Sequence, residues 1–98
     1  MASQAIRVVA SNQTELITTK KTVRRTIFFS YETPVVITYV YDCGVSVTYV
    51  TNKKHSSTTS RHINKYLEAS PYKGAESVSQ GEIYRLSDVI RREEASDD

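Results

Sequence analysis

The stretch PVVITYVYDCGVSVTYVT, residues 34–51, decides the fold of this chain. Apolar and polar residues alternate in both of its halves, and β-branched and aromatic side chains are frequent, as is typical of β-strands. The halves meet at Asp42-Cys43-Gly44, where Gly44 can adopt the positive φ of a tight turn. The apolar side chains on one face are Val35, Ile37, Tyr39, Tyr41, Val45, Val47 and Tyr49. The stretch therefore predicts an antiparallel β-hairpin.

Three segments before the hairpin also have strand character. Val23–Ser30 alternates in part, and residues 31–34 end it because Pro34 has no amide hydrogen to donate. Residues 5–10 and 15–19 are further candidates, separated by Ser11-Asn12. Three strands are about the minimum for a sheet that is stable by itself. We expect a small antiparallel sheet of three to five strands.

Helical periodicity appears only after the sheet. Hydroxyl groups at residues 57–59 can cap the start of a first helix. Ile63, Tyr66 and Leu67 then form an apolar stripe at positions i, i+3 and i+4. Ser70-Pro71 ends this helix.

A second helix begins at a capping box, Ser79-Gln80-Gly81-Glu82. Val78 can pack on Ile83 in front of it, and the apolar stripe continues through Leu86 and Ile90. Strands followed by two amphipathic helices predict an α+β fold, with both helices covering one face of the sheet.

The length of 98 residues is that of one compact domain. We assign residues 1–92 to this domain and residues 93–98 to an acidic flexible tail. The single cysteine, Cys43, has no partner for an intrachain disulfide. We expect no membrane association and a cytoplasmic location, because no signal-peptide pattern and no apolar run of ~20 residues is present.

Charge is divided unevenly along the chain. Residues 1–65 contain nine Lys and Arg against three acidic residues, a net charge of +6, whereas residues 66–98 contain four against eight, a net charge of −4. Such a division bears on binding partners rather than on the fold. The alternative is that the two parts pack together and their charges largely offset.

The basic residues predict contact with nucleic acid if the loops that carry them converge at one end of the sheet. Phosphates require cations, and single strands also require exposed aromatic faces. Candidates for stacking are Phe28, Tyr39, Tyr41 and Tyr49, although alternation is equally consistent with their burial. The candidate nucleic-acid-binding residues are Lys20, Lys21, Arg24, Arg25, Lys53, Lys54, Arg61 and Lys65.

The polar run before the first helix is a candidate anion site, since unpaired amides at a helix start attract phosphate. Its residues are Thr58, Thr59, Ser60, Arg61 and His62. A nucleophilic hydroxyl would need His62 as its base and an acid to orient that base, and the run contains no acid. Cys43, His55 and His62 are spaced too irregularly for a zinc site. We therefore expect no catalytic residues, no metal and no cofactor.

Two motifs resemble a known family. FSYETPVV, residues 29–36, and SSTTSRHIN, residues 56–64, are similar to two motifs that occur in this order in a set of short uncharacterised proteins common in bacteriophages and mobile elements. The family pattern is a strand, Ser-Tyr-x-Thr-Pro-Val, a hairpin and Ser-x-Thr-Thr-x-x-His-x-Asn, which corresponds to roughly residues 26–67. This chain has His55 where members often have an aromatic residue. The resemblance implies a phage or viral origin and a small accessory role, and it supplies no activity.

Together these observations favour a small, non-enzymatic, virus-encoded accessory protein that acts by binding, with nucleic acid as the leading partner. The alternatives are an inhibitor that docks on a host protein, such as a defence complex, and sequestration of a small phosphorylated ligand. A free sheet edge also predicts a homodimer, because such an edge can pair across a two-fold axis.

Overall fold

A computed structural model describes residues 3–72 and 74–96 of the chain. Its strands and helices follow one another along the chain as β1 Ser3–Ala10, β2 Gln13–Lys20, β3 Val23–Ser30, β4 Thr33–Tyr41, β5 Ser46–Thr51, α1 Ser57–Ala69, β6 Glu76–Val78 and α2 Gln80–Ser96. The α+β class predicted from the sequence is confirmed.

The six strands form one mixed sheet whose spatial order is the same as their order in the chain. Strands β1 to β5 are an antiparallel meander, and the predicted hairpin of residues 34–51 is its β4–β5 pair. The prediction of three to five strands was wrong by one, because β6 was missed. This strand has three residues and pairs parallel to β5, so it is too short to show an alternating pattern.

The prediction that both helices cover one face of the sheet was wrong. Helix α2 packs through Ile83 and Ile90 on one face, where Ile27 and Ile37 are buried. On the opposite face α1 packs through Ile63 and Leu67. We call these the α2 face and the α1 face. The molecule therefore has three layers, with the sheet between the helices.

The reason is that the central strands are apolar on both sides. In β3, Ile27 belongs to the core on the α2 face, whereas the next residue, Phe28, belongs to the core on the α1 face. Successive side chains of a strand point to opposite faces. Both faces therefore need a cover, and one helix serves each.

Both helices begin at serine caps. The Ser56 hydroxyl accepts a hydrogen bond from the Thr59 amide at 3.2 Å, one residue before the predicted cap of α1. The predicted cap of α2 is confirmed, since the Ser79 hydroxyl accepts from the Glu82 amide at 3.1 Å. The Glu82 carboxylate, however, is bound by Arg85.

The C-terminal boundary also differs from the prediction. Helix α2 continues to Ser96 and thus includes residues 93–96 of the predicted acidic tail. Glu93 forms an ion pair with Arg25 of β3, which ties this turn of the helix to the sheet. Asp97 and Asp98 lie outside the described residues.

Candidate functional site

A cavity of about 600 Å³ lies between α1 and the sheet, on the α1 face. Residues Ile17, Thr26 and Thr38, which come from three adjacent strands, form part of its floor. We call this cavity the basic groove. Its charged and aromatic lining consists of Arg7, Glu15, Arg24, Lys65, Tyr66 and Tyr72.

A buried carboxylate joins the two walls of the basic groove. Glu15 of β2 is bound by the Arg7 guanidinium, with Nε at 2.8 Å and Nη2 at 2.7 Å from Oε1. Its second oxygen accepts a hydrogen bond from the Tyr66 hydroxyl of α1. Burial and the Glu15 hydrogen bond raise the pKa of Tyr66 far above its ordinary value. The Tyr66 ring also stacks on Phe28, with ring centroids 3.9 Å apart, so α1 is held at this point by packing and by charge.

A second contact holds the segment that follows α1. Arg24 of β3 donates from Nη2 to the Tyr72 hydroxyl at 2.8 Å. The Tyr72 amide donates to the Ser70 hydroxyl at 3.1 Å, which fixes the turn after the helix. A guanidinium group has five N–H donors, and in the part of the chain that the structure describes Arg24 has no carboxylate partner. Its charge therefore faces the groove uncompensated by a salt bridge.

Three cations of the groove come from three different elements. Arg7 lies on β1, Arg24 on β3 and Lys65 on α1. Of the predicted nucleic-acid-binding residues, Arg24 and Lys65 are thus brought together. Arg61 lies one turn before Lys65 on the exposed surface of α1, at the i, i+4 spacing that makes two helical residues neighbours.

Sequence reasoning missed Arg7 because its position depends on an irregularity in the β1–β2 pairing. Ala10 pairs with Gln13 across the turn, and a regular ladder from there would place Leu16 opposite Arg7. The register shifts between Val8 and Ala10, so that Arg7 pairs with Glu15 instead. No sequence signal available here fixes the site of such a β-bulge.

The central premise of the nucleic-acid prediction, that the two basic loops converge, was wrong. Lys20 and Lys21 lie where β2 meets β3, whereas Lys53 and Lys54 follow β5. Because neighbouring strands of the meander are antiparallel, these two loops lie at opposite ends of the sheet. Strands of eight residues at about 3.3 Å per residue separate the two ends by about 25 Å.

Arg25 must also be removed from the predicted binding surface. It lies on the α2 face, is 5% exposed and pairs with Glu93. Its Nε donates to the Thr18 hydroxyl at 3.1 Å. Arg25 therefore serves to fasten α2 to the sheet, and the acidic C-terminal part of the chain does offset one cation of the basic part.

The predicted anion site at the start of α1 is largely used within the protein. Thr59 is buried, and its hydroxyl accepts from the Ser30 hydroxyl at 3.1 Å. His62 Nδ1 lies 2.8 Å from the same Ser30 oxygen. Thr58 and Ser60 are half-buried beside them. These contacts attach α1 to the end of β3.

The Ser30–His62 distance is that of a nucleophile and its base, but the serine is not accessible. Ser30 is 1% exposed and is covered by α1 through Thr59 and His62. A substrate could reach its hydroxyl only if the helix moved away. The pair is therefore a packing contact between β3 and α1.

The predicted stacking residues are mostly core residues. Phe28 is fully buried, and Tyr39 and Tyr49 are half-buried and form an edge-to-face pair with centroids 6.3 Å apart. Burial raises the pKa of Tyr39 as well. Tyr41 is exposed, at the far end of β4. The aromatic residues that line the basic groove are instead Tyr66, whose ring is stacked on Phe28, and the half-buried Tyr72.

Within residues 3–72 and 74–96, no three His, Cys, Asp or Glu side chains are grouped so as to hold a metal ion. His55 bonds Gln80 through Nε2 at 2.9 Å. Neither helix, over its described residues, is long and apolar enough to cross a membrane.

Residues 5–85 match a protein family described as a family of unknown function (DUF8033). No curated protein and no solved structure matches the chain.

Proposed function

The chain belongs to this family of unknown function, and we propose its function from the basic groove. The protein is non-enzymatic and binds single-stranded nucleic acid in this groove. The observation that supports this most is the presence of Arg7, Arg24 and Lys65 in one groove. Phosphate contacts by Lys and Arg supply most of the affinity of sequence-independent nucleic-acid binding.

The charges of the groove favour an anion. Three cations face one carboxylate, Glu15, and that carboxylate is already bound by Arg7 and Tyr66. A second negative charge in the groove would therefore meet Arg24 and Lys65. Guanidinium groups bind phosphate oxygens through two parallel N–H bonds, and Tyr72 leaves most of the Arg24 donors for this purpose.

The size of the groove favours a flexible strand over a duplex. A cavity of about 600 Å³ has the dimensions of a pocket for one small organic ligand, so it can take a nucleotide of a single strand but not the width of a double helix. Tyr72 at its wall can stack on a base, a contact worth about 1–3 kcal/mol. The same size supports a second candidate, a small phosphorylated ligand.

The family resemblance supports a proposal about origin. The motifs at residues 29–36 and 56–64 resemble those of bacteriophage and mobile-element proteins. We propose on this basis that the protein is virus-encoded and acts in the cytoplasm of the host cell. The structural role of Ser30, Thr59 and His62 gives a physical reason for these motifs, since they join α1 to β3.

Titration with oligonucleotides tests the proposed function. The probes are a single strand, a duplex of equal length and a nucleoside monophosphate. We expect the single strand to bind best and its affinity to fall about 7-fold between about 50 and about 200 mM salt, since each of the two phosphate contacts, at Arg24 and Lys65, adds about −0.7 to the logarithmic salt slope. Equal affinity for the monophosphate would assign the groove to a small ligand. No binding of any probe at low salt would contradict the proposal.

A further inference from the structure

Strand β1 is a free edge of the sheet with an exposed apolar row. Among the strands of the described residues, β1 pairs only with β2, so one side of β1 has no neighbouring strand. Ile6 is 71% exposed and Val8 is 73% exposed, more than any other large hydrophobic residue among those described. A long edge strand with exposed apolar side chains is a template for pairing with another chain.

We propose that two copies of this chain pair through β1, antiparallel, about a two-fold axis at Ile6, so that their sheets become continuous. The partner is a second copy because the strand is complementary to itself in one register. In an antiparallel pair, directly opposed residues share a face of the sheet. A two-fold axis perpendicular to the sheet also keeps each residue on its own face. The axis must therefore pass midway between one residue and the same residue of the second copy.

The charge of Arg7 selects this register. An axis at Arg7 would place two guanidinium groups opposite each other, which is destabilising. An axis at Val8 would extend the pairing across the β-bulge between Val8 and Ala10, where the ladder is disrupted. With an axis at Ala5, the two exposed Ile6 side chains would not lie opposite each other. With the axis at Ile6, Ile6 meets its own mate, and Arg7 meets Ala5 of the second copy.

The other edge of the sheet explains why assembly would stop at two copies. Strand β6 has three residues, and exposed Glu76 begins it. Short edges that carry a charge resist pairing. Once two copies have paired through β1, neither has a further edge suited to pairing, and the assembly is complete as a symmetric dimer.

The dimer would place the two basic grooves side by side. A role for this arrangement in binding rests on the proposed function, whereas the dimer itself does not. A two-fold axis perpendicular to the sheet keeps the α1 faces of both copies on the same side. Each groove includes Arg7, one residue from the axis. The two grooves would therefore be adjacent and could hold one continuous strand.

Light scattering and matched lysine variants test the dimer without any ligand. We expect the wild type to have twice the 11.1 kDa mass of one chain at high protein concentration, and Ile6→Lys to have the mass of one chain. Val45→Lys is the control, because Val45 is 55% exposed in the β4–β5 turn, away from β1. A monomeric wild type, or an Ile6→Lys dimer, would overturn the proposal.

Cysteine cross-linking tests the register in a Cys43→Ser background. Opposed residues of an antiparallel pair have Cα atoms about 4.5–5.5 Å apart, within the range for a disulfide. We expect Ile6→Cys to form a disulfide-linked dimer under mild oxidation. Val8→Cys should not, since the two copies of residue 8 would be four residues, about 13 Å, apart along the strand. Efficient cross-linking of Val8→Cys, or none of Ile6→Cys, would overturn the assigned axis.

Discussion

The Tyr66 hydroxyl of α1 donates a hydrogen bond to the buried carboxylate of Glu15 on β2, although the two residues are 51 positions apart in the chain. Arg7 of β1 binds the other oxygen of the same carboxylate. One buried charge therefore connects the helix, the second strand and the edge strand. The wall and floor of the basic groove depend on this connection.

Tyr66→Phe should destabilise the protein. The variant keeps the ring that stacks on Phe28 but removes one of two groups that compensate the buried Glu15 charge. Hydrogen bonds to charged groups contribute about 1.5–3 kcal/mol, and we expect a loss of this size in the free energy of unfolding, measured by urea denaturation. Tyr84→Phe is the control, since Tyr84 is exposed on α2. Equal stability of Tyr66→Phe and the wild type would show that the hydrogen bond contributes nothing.

The raised pKa of Tyr66 predicts a loss of stability in alkaline solution. Burial and Glu15 favour the neutral phenol in the folded state. The stabilisation is complete below the ordinary pKa of 10.0 and is lost as the pH rises above it, because the unfolded tyrosine then loses a proton that the folded one keeps. Between pH 10 and 11 the wild type should lose about 1 kcal/mol more than Tyr66→Phe. Parallel pH profiles of the two proteins would contradict this assignment.

Glu93→Gln should weaken the attachment of α2 to the sheet and lower the free energy of unfolding. The Arg25 guanidinium is buried and pairs with Glu93, and its Nη2 has no hydrogen-bond partner among the described residues. Loss of the carboxylate leaves a poorly compensated buried cation, and we expect a cost of about 1–3 kcal/mol, reduced by the partial exposure of Glu93. Glu82→Gln, which removes the surface pair with Arg85, should leave the urea midpoint almost unchanged. An equal effect of the two variants would argue against the Arg25 pairing.

Lys21→Gly should stabilise the protein. Lys21 has a φ of 55° in the β2–β3 turn, a conformation that costs an L-residue about 1–2 kcal/mol and glycine nothing. The extra entropy of an unfolded glycine removes part of this gain, so a net increase of about 0.5–1 kcal/mol is expected in thermal or urea unfolding. Thr22→Gly, at the next position of the same turn, should decrease stability. The opposite order of the two variants would refute this explanation.

Much of the fold could be predicted from short-range patterns. The period-two alternation and the glycine turn identified Val23–Ser30 and the hairpin of residues 34–51, and Ser79 was recognised as a helix cap. The placement of the helices could not be predicted from the order of elements. It depends on residues such as Ile27 and Phe28, whose neighbouring apolar side chains require cover on both faces of the sheet.

The candidate site was only partly predictable. Arg24 and Lys65 were recognised by charge, but Arg25, beside Arg24 in the chain, points to the other face and is neutralised by Glu93. Charge counted along a sequence does not distinguish the two faces of a strand or the two ends of a sheet. Arg7 enters the groove through a bulge, and Tyr72 through the turn after α1, and neither has a local sequence signal.

The most direct test of the basic groove compares two double variants that remove equal charge. Arg24→Gln/Lys65→Gln removes two cations of the groove, whereas Lys53→Gln/Lys54→Gln removes two from the loop after β5. Both variants should melt near the wild-type temperature, because all four side chains are exposed and the Arg24–Tyr72 hydrogen bond lies at the surface. We predict that the groove variant loses at least about 10-fold in affinity for a single-stranded oligonucleotide at low salt, while the loop variant retains most of it. Equal losses in the two variants would contradict the account, because they would mean that net charge alone, and not the groove, governs binding.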